Sequence, residues 1–134
     1  MGTREIWIWG AGPEAEAQIA EALREGNLIN PVRVIEDNFD FDAFFRRKEP
    51  LPLLLLLDLA NTRVWQVAET ARKHQADERM AMIALADDST ESLIDKAYDV
   101  GMKTYLRKPL AFSEFAMRAK LLNMSLRIER PDEG

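Results

Sequence analysis

Five consecutive leucines, Leu53–Leu57, constrain the fold of this chain more strongly than any other feature. An apolar run without alternating polar residues is typical of a β-strand that is covered on both faces, as in a parallel sheet packed between two layers of helices. Asp58 follows the run directly. Because ligands and reactions in open α/β sheets collect in the crevice beyond the carboxyl ends of the strands, Asp58 is the first candidate site residue.

The rest of the chain alternates short β-prone runs with helical segments. Besides the leucine run, the sequence predicts strands at 6–9, 32–35, 80–85 and 104–107, and helices at 14–24, 40–47, 64–73, 92–100 and from 112 to about 130. Five successive β-α units call for one parallel sheet with helices on both faces. We therefore predict a doubly wound sheet with strand order 2-1-3-4-5, in a single domain over residues 4–123, with a C-terminal helix extension and tail over residues 124–134.

Length, charge and composition exclude several classes of protein. With 134 residues, the chain can bury a substantial core but fits only one domain. The net charge is −5 and the basic residues are dispersed, which argues against direct binding to nucleic acid. The absence of cysteine excludes disulfides and thiolate metal sites. No apolar run approaches the roughly 20 residues that cross a bilayer, and no secretory signal is visible, so we expect no membrane association and a cytoplasmic location.

A second candidate site residue, Lys108, ends the fifth predicted strand. In the expected strand order, its long side chain can reach toward Asp58. Two segments surround these residues: Leu55-Leu56-Leu57-Asp58-Leu59 and Gly101-Met102-Lys103-Thr104-Tyr105-Leu106-Arg107-Lys108-Pro109-Leu110. With these segments and its five β-α units, the chain resembles the receiver domains of two-component response regulators over about residues 4–123.

The resemblance implies a flavodoxin-like fold and a role in signalling. In that family, an aspartate carboxylate accepts a phosphoryl group from a histidine kinase, and a lysine pairs with the phosphate. Two acids at the end of the first strand hold Mg²⁺, which offsets charge in the transition state. A serine or threonine that ends the fourth strand follows the phosphate and lets an aromatic residue of the fifth strand turn inward. The resemblance thus implies that Asp58 is the phospho-acceptor and Lys108 the phosphate-pairing residue.

Several positions depart from the family pattern. Gly10 and Ala11 stand where the acidic pair belongs, and Ala86 stands where the switch hydroxyl belongs, which leaves Tyr105 without its usual trigger. Three carboxylates around one lysine would require a divalent cation, whereas Asp58 and one lysine can form a neutral pair. We therefore expect a degenerate site that needs no cofactor and performs no enzymatic reaction. The remaining metal-ligand candidates do not match the motif: Glu14, Glu36 and Asp37. Mg²⁺ belongs to the alternative hypothesis, a conventional phospho-acceptor at Asp58.

The segment Gly10-Ala11-Gly12-Pro13-Glu14-Ala15 suggests a different class of protein. It fits the G-x-G-x-x-G/A pattern of dinucleotide-binding domains, and Glu36 or Asp37 follows at about the distance of a ribose-binding acid. Against a small Rossmann-like nucleotide-binding domain, Pro13 lacks an amide proton and Glu14 adds negative charge where a phosphate would lie. We favour the interpretation that the glycines form a tight turn after the first strand.

The predicted function is that of a signalling module that acts through protein contacts. The expected partners are a histidine kinase or a downstream effector. A homodimer through the fourth helix, the fifth strand and the fifth helix is a further possibility, to which the apolar C-terminal extension could contribute.

Four other features have simpler interpretations. Trp7 and Trp9 lie two residues apart and are expected to pack on one face of the first strand, under a helix. His74 is expected at a solvated helix end, and the polar run 87–90 is expected to cap the next helix. Trp65 follows the Asp58 loop and is either a partner contact or a core residue.

Overall fold

The computed structural model describes residues 4–122 and contains five strands and five α-helices within them. The strands are β1 (Ile6–Trp9), β2 (Val32–Val34), β3 (Leu54–Asp58), β4 (Ala81–Ala86) and β5 (Thr104–Arg107); the helices are α1 (Pro13–Glu25), α2 (Phe41–Arg46), α3 (Val64–Lys73), α4 (Ile94–Asp99) and α5 (Phe112–Leu121). Two short 3-10 helices, Ala76–Glu78 and Glu91–Leu93, precede β4 and α4. The predicted extension and tail at 124–134, and the predicted end of the last helix, lie outside the described residues.

The sheet is parallel throughout, with the order β2-β1-β3-β4-β5. The predicted flavodoxin-like architecture is therefore confirmed. The register pairs Asp58 with Leu85 and Ala86 with Arg107, so that β3, β4 and β5 end at one edge of the sheet. This carboxyl edge is where both sequence-predicted site residues lie.

Two apolar layers cover the sheet, because successive strand residues point to opposite faces. The layer toward α2 and α3 contains Trp7, Trp9, Leu55, Leu57, Met82, Ala84 and Ala86. The layer toward α1 and α5 contains Ile6, Ile8, Leu54, Leu56, Ile83 and Leu85. The central leucines are fully buried, as their unbroken apolar run predicted. None of the helices within the described ranges is both long and apolar enough to cross a membrane.

Trp7 and Trp9 both pack beneath α2, which confirms the prediction that they share one face of β1. The ring centroids of Trp7 and Phe44 are 5.0 Å apart, and those of Trp9 and Phe41 are 6.0 Å apart. The Asp40 side chain caps the helix by accepting the Ala43 N–H at 3.0 Å. Burial of this aromatic cluster fixes the short helix against the sheet.

The helix predicted at 92–100 is shorter than expected, and the polar run before it does not cap it. Asp87 instead accepts the backbone N–H groups of Ser89 and Thr90, at 2.9 and 3.1 Å. This turn leads into the 3-10 helix, and α4 begins only at Ile94. A side chain that bonds to its own nearby backbone competes with helix initiation, and the capping prediction missed that competition.

His74 lies at the C-terminal end of α3, as predicted, but it is less solvated than expected. Its Nε2 lies 2.8 Å from Asp42 Oδ1, and its side chain is only 20% exposed. The hydrogen bond with His74 is the largest of the effects that lower the pKa of Asp42. Trp65 is partly buried, with the Lys96 ammonium 4.4 Å from its ring centroid.

Candidate functional site

Asp58 is the last residue of β3 and is fully buried, with 1% of its side chain exposed. Its Oδ1 accepts the Ala60 N–H at 2.8 Å, and its Oδ2 accepts the Lys108 ammonium at 2.5 Å. Both carboxylate oxygens therefore have a donor from the chain itself. A buried carboxylate needs such partners, because an unpaired charge in the core is costly.

Lys108 reaches Asp58 from the residue immediately after β5. Its backbone N–H donates to the Ala86 carbonyl at 2.9 Å, which continues the pairing of β5 with β4. The peptide bond to Pro109 is cis. Only 17% of the lysine side chain is exposed, so the ammonium lies in a partly desolvated position above the end of β3.

Asp87 is a third charged member of this site, and the sequence interpretation did not include it. It follows the last residue of β4, and its Oδ2 lies 3.6 Å from the Lys108 ammonium. The pKa of Asp87 is lowered to about 2, mainly by the hydrogen bond from the Ser89 side chain. Burial opposes this shift, and Lys108 and Thr90 contribute smaller effects that lower the pKa. The carboxylate is therefore charged at neutral pH, and the expected one-to-one pair is instead one lysine between two acids. The sequence contained a signal for Asp87, because this acid follows a predicted strand, just as Asp58 follows the leucine run.

Gly10 and Ala11 lie at the end of β1, where the family pattern places its acidic pair. Gly10 has a φ of +85°, a backbone conformation that favours glycine. A Cβ atom at Gly10 would lie 3.3 Å from both Cβ and Nδ2 of Asn61. Asn61 therefore fills the space in which a side chain at this position would begin.

The remaining metal-ligand candidates do not converge on Asp58. Asp37 is engaged by the Arg63 guanidinium at 2.7 Å and by the Asn61 amide at 3.1 Å. Glu36 lines the same crevice as Asp37, whereas Glu14 lines the crevice on the other side of the glycine loop, next to Lys108. Within residues 4–122, no group of three or more histidine and carboxylate side chains could hold a metal ion. The residues present do not fit the Mg²⁺ that the receiver fold implies.

The glycine loop uses its backbone amides within the chain. Gly12 also has a positive φ, of +87°, and Pro13 is the first residue of α1. The Ala11 N–H donates to the carboxylate of Glu16 at 3.2 Å, so an acid of the same chain occupies a donor that a pyrophosphate would use. This geometry favours the tight-turn interpretation over the nucleotide-binding one.

Ala86 and Tyr105, which the resemblance places at the switch positions of the family, lie on neighbouring strands. Ala86 is buried, and the ring of Tyr105 is partly buried against the apolar layer. The guanidinium of Arg118 lies 4.8 Å from the centroid of that ring and also donates to the Thr104 hydroxyl at 3.3 Å. Tyr105 is therefore held by α5 and by its own strand.

No protein-family model and no curated protein matches this sequence. Solved structures, in contrast, match it over most of its length. The bacteriophytochrome response regulator AtBRR superposes with a TM-score of 0.74 at 19% identity, covering 97% of this chain and 99% of that one. The bacteriophytochrome response regulator RtBRR gives a TM-score of 0.74 at 20% identity over 96% and 83% of the two chains. The receiver domain of a sensor histidine kinase from Pseudomonas aeruginosa, solved with magnesium in its active-site cleft, gives 0.71 at 18% identity over 91% and 99%.

These matches define the class of fold. The chain has the architecture of response-regulator receiver domains, with the same parallel five-stranded sheet covered by helices on both faces. At these identities, the likeness is one of fold. What the site does has to be argued from its own residues.

Proposed function

We propose that this chain is a cytoplasmic receiver-type signalling module of a two-component system, with a degenerate phospho-acceptor site, which acts through protein contacts and not as an enzyme. The observation that carries the proposal is the set of contacts around Asp58. Its two oxygens accept hydrogen bonds from Lys108 and from the Ala60 N–H. The end of β1 has Gly10 and Ala11 in place of carboxylates. Lys108 is thus the cation that faces Asp58 within the described residues.

Loss of the metal site has a large predicted effect on phosphoryl transfer. A bound divalent cation stabilises the transition state by several kcal/mol, and each 1.4 kcal/mol or so changes a rate tenfold. This effect makes the conventional phospho-acceptor the weaker hypothesis.

Incubation with a small-molecule phosphodonor and Mg²⁺, followed by intact-mass measurement, tests this proposal. We expect no mass increase of one phosphoryl group under conditions in which a receiver domain with the acidic pair is modified completely. The Asp58→Asn variant is the matched control for any partial labelling. A stoichiometric adduct on the wild-type protein that is absent from this variant would establish the conventional function and refute the degenerate site.

The surface proposed for protein contacts is the face formed by α4, β5 and α5. It carries exposed apolar side chains on both helices, with Tyr98 45% exposed, Met117 53% and Leu121 75%. The exposed charged residues of α4 are Asp95, Lys96 and Asp99, and the exposed charged residue of α5 is Lys120. In a two-fold symmetric pair, the aspartates of α4 in one copy can face Lys120 of the other, which makes a second copy of this chain the occupant that we propose.

Sedimentation velocity over a range of concentrations tests the dimer. We expect Met117→Glu to abolish self-association, because it places a charge among the exposed apolar side chains of this face. The matched control is Val34→Glu, since Val34 is exposed to a similar degree but lies on β2, at the opposite edge of the sheet. A wild-type chain that stays monomeric at all concentrations, or equal dissociation by both variants, would contradict a homodimer through this face.

A further inference from the structure

Asp87 connects the buried charge pair to the turn that precedes α4. One of its oxygens, Oδ2, faces the Lys108 ammonium at 3.6 Å. The other, Oδ1, accepts the backbone N–H groups of Ser89 and Thr90 and the Ser89 hydroxyl, at distances from 2.6 to 3.1 Å. A single carboxylate thus touches both the centre of the site and the backbone of the next segment.

The same turn is tied to β5 on its outer side. The guanidinium of Arg107 contacts Asp88 and lies 3.4 Å from the Glu91 carboxylate. Arg107 directly precedes Lys108 in the chain. A movement of the Asp87 turn would therefore displace α4 and β5, which are two of the three elements of the proposed contact face.

We infer that Asp87 is a positioning residue that shares Lys108 with Asp58 and transmits the charge state of Asp58 to the turn at 87–90. When Asp58 is negative, it holds the ammonium at 2.5 Å, nearer than Asp87 does. When Asp58 loses its charge, Asp87 becomes the remaining anion and draws the ammonium toward the turn. The 17% exposure of the Lys108 side chain favours this attraction, whereas solvent partly screens Asp87, whose side chain is 37% exposed.

Charge, and not a hydroxyl group, thus couples this site to the loop after β4. Ala86 leaves β4 without a hydroxyl at its end, and the next residue provides a link to the same loop by ionic attraction. The use of this link in signalling rests on the proposed function. The link itself is a property of three side chains and does not need phosphate, a kinase or a partner.

The simpler alternative is that Asp87 only closes its turn. Asparagine at position 87 separates the two roles, because its amide oxygen can still accept the backbone N–H groups while its charge is gone. The matched control is Asp88→Asn, one residue further along the same turn. Asp88 is 97% exposed and contacts Arg107, not Lys108.

The experiment compares backbone amide chemical shifts of Ser89 and Thr90 with and without the Asp58→Asn change. In the wild-type background and in the Asp88→Asn background, we expect Asp58→Asn to shift both amides, because Lys108 moves toward Asp87. In the Asp87→Asn background we expect this response to be lost. Asp87→Ser, which keeps a short acceptor for the turn, serves in the same role if the asparagine variant does not fold.

The result that overturns the inference is equally specific. If Asp58→Asn leaves both amides unmoved in the wild type, or if the shifts persist without the Asp87 charge, Asp87 is only a turn residue. Self-association and phosphodonor labelling are measured separately. A failure of the proposed function therefore leaves the amide response intact. A failure of this inference shows as an amide response that is missing or does not depend on Asp87, and it changes neither of the other two results.

Discussion

Replacing Lys108 with methionine is expected to lower the free energy of unfolding by about 3–5 kcal/mol, the range found when one partner of a buried ion pair is removed. Asp58 is fully buried, and its Oδ2 has the lysine as its close donor. Methionine keeps most of the side-chain volume of lysine. The loss of stability therefore measures the effect of leaving the Asp58 carboxylate without its cation, and not the effect of a cavity. Urea unfolding followed by the fluorescence of the buried residues Trp7 and Trp9 measures it.

Two variants make the Lys108 result interpretable. Lys103→Met removes an exposed lysine just before β5 and is expected to change stability by less than about 0.5 kcal/mol. The double variant Asp58→Leu with Lys108→Met removes both charges, and it should recover most of the stability that the single lysine variant loses. A cost below about 1 kcal/mol for Lys108→Met would mean that Asp58 does not depend on the lysine, and the description of the pair would be wrong.

Restoring an acid at the end of β1 with Gly10→Asp is expected to destabilise the protein by about 1–3 kcal/mol without creating a Mg²⁺ site. The φ of +85° strains any residue with a Cβ atom, and that atom would press on Asn61. Asn61 cannot move away freely, because its side chain bonds to Asp37 and to the Arg63 N–H. Thermal unfolding measures the first effect, and titration calorimetry with Mg²⁺ measures the second.

The controls for Gly10→Asp separate backbone strain from crowding. Gly12→Ala introduces a Cβ atom at a φ of +87° with no other atom within 4 Å, so it reports strain alone. Gly10→Ala adds the contact with Asn61 but no charge. We expect the cost to rise from Gly12→Ala to Gly10→Ala to Gly10→Asp. Saturable Mg²⁺ binding by Gly10→Asp would show that the missing acid is all that the site lacks.

The fold was readable in the sequence because its signals are local and repeated. The unbroken apolar run before Asp58 requires a strand covered on both faces, and five alternations of strand and helix leave a parallel sheet as the natural arrangement. The meeting of Asp58 with Lys108 follows from the same pattern, since both residues lie at the carboxyl ends of parallel strands. Here the backbone topology alone brings the charges together.

The tertiary structure decided the neighbours of that pair. Asp87 turns one oxygen to its own loop and the other to Lys108, and Asn61 fills the space beside Gly10. His74 pairs with Asp42 on another helix, although its sequence neighbours suggested a solvated position. Each of these contacts depends on side-chain direction and on loops that meet across the sheet. Strand and helix periodicity fixes the order of the elements but carries no information about such contacts.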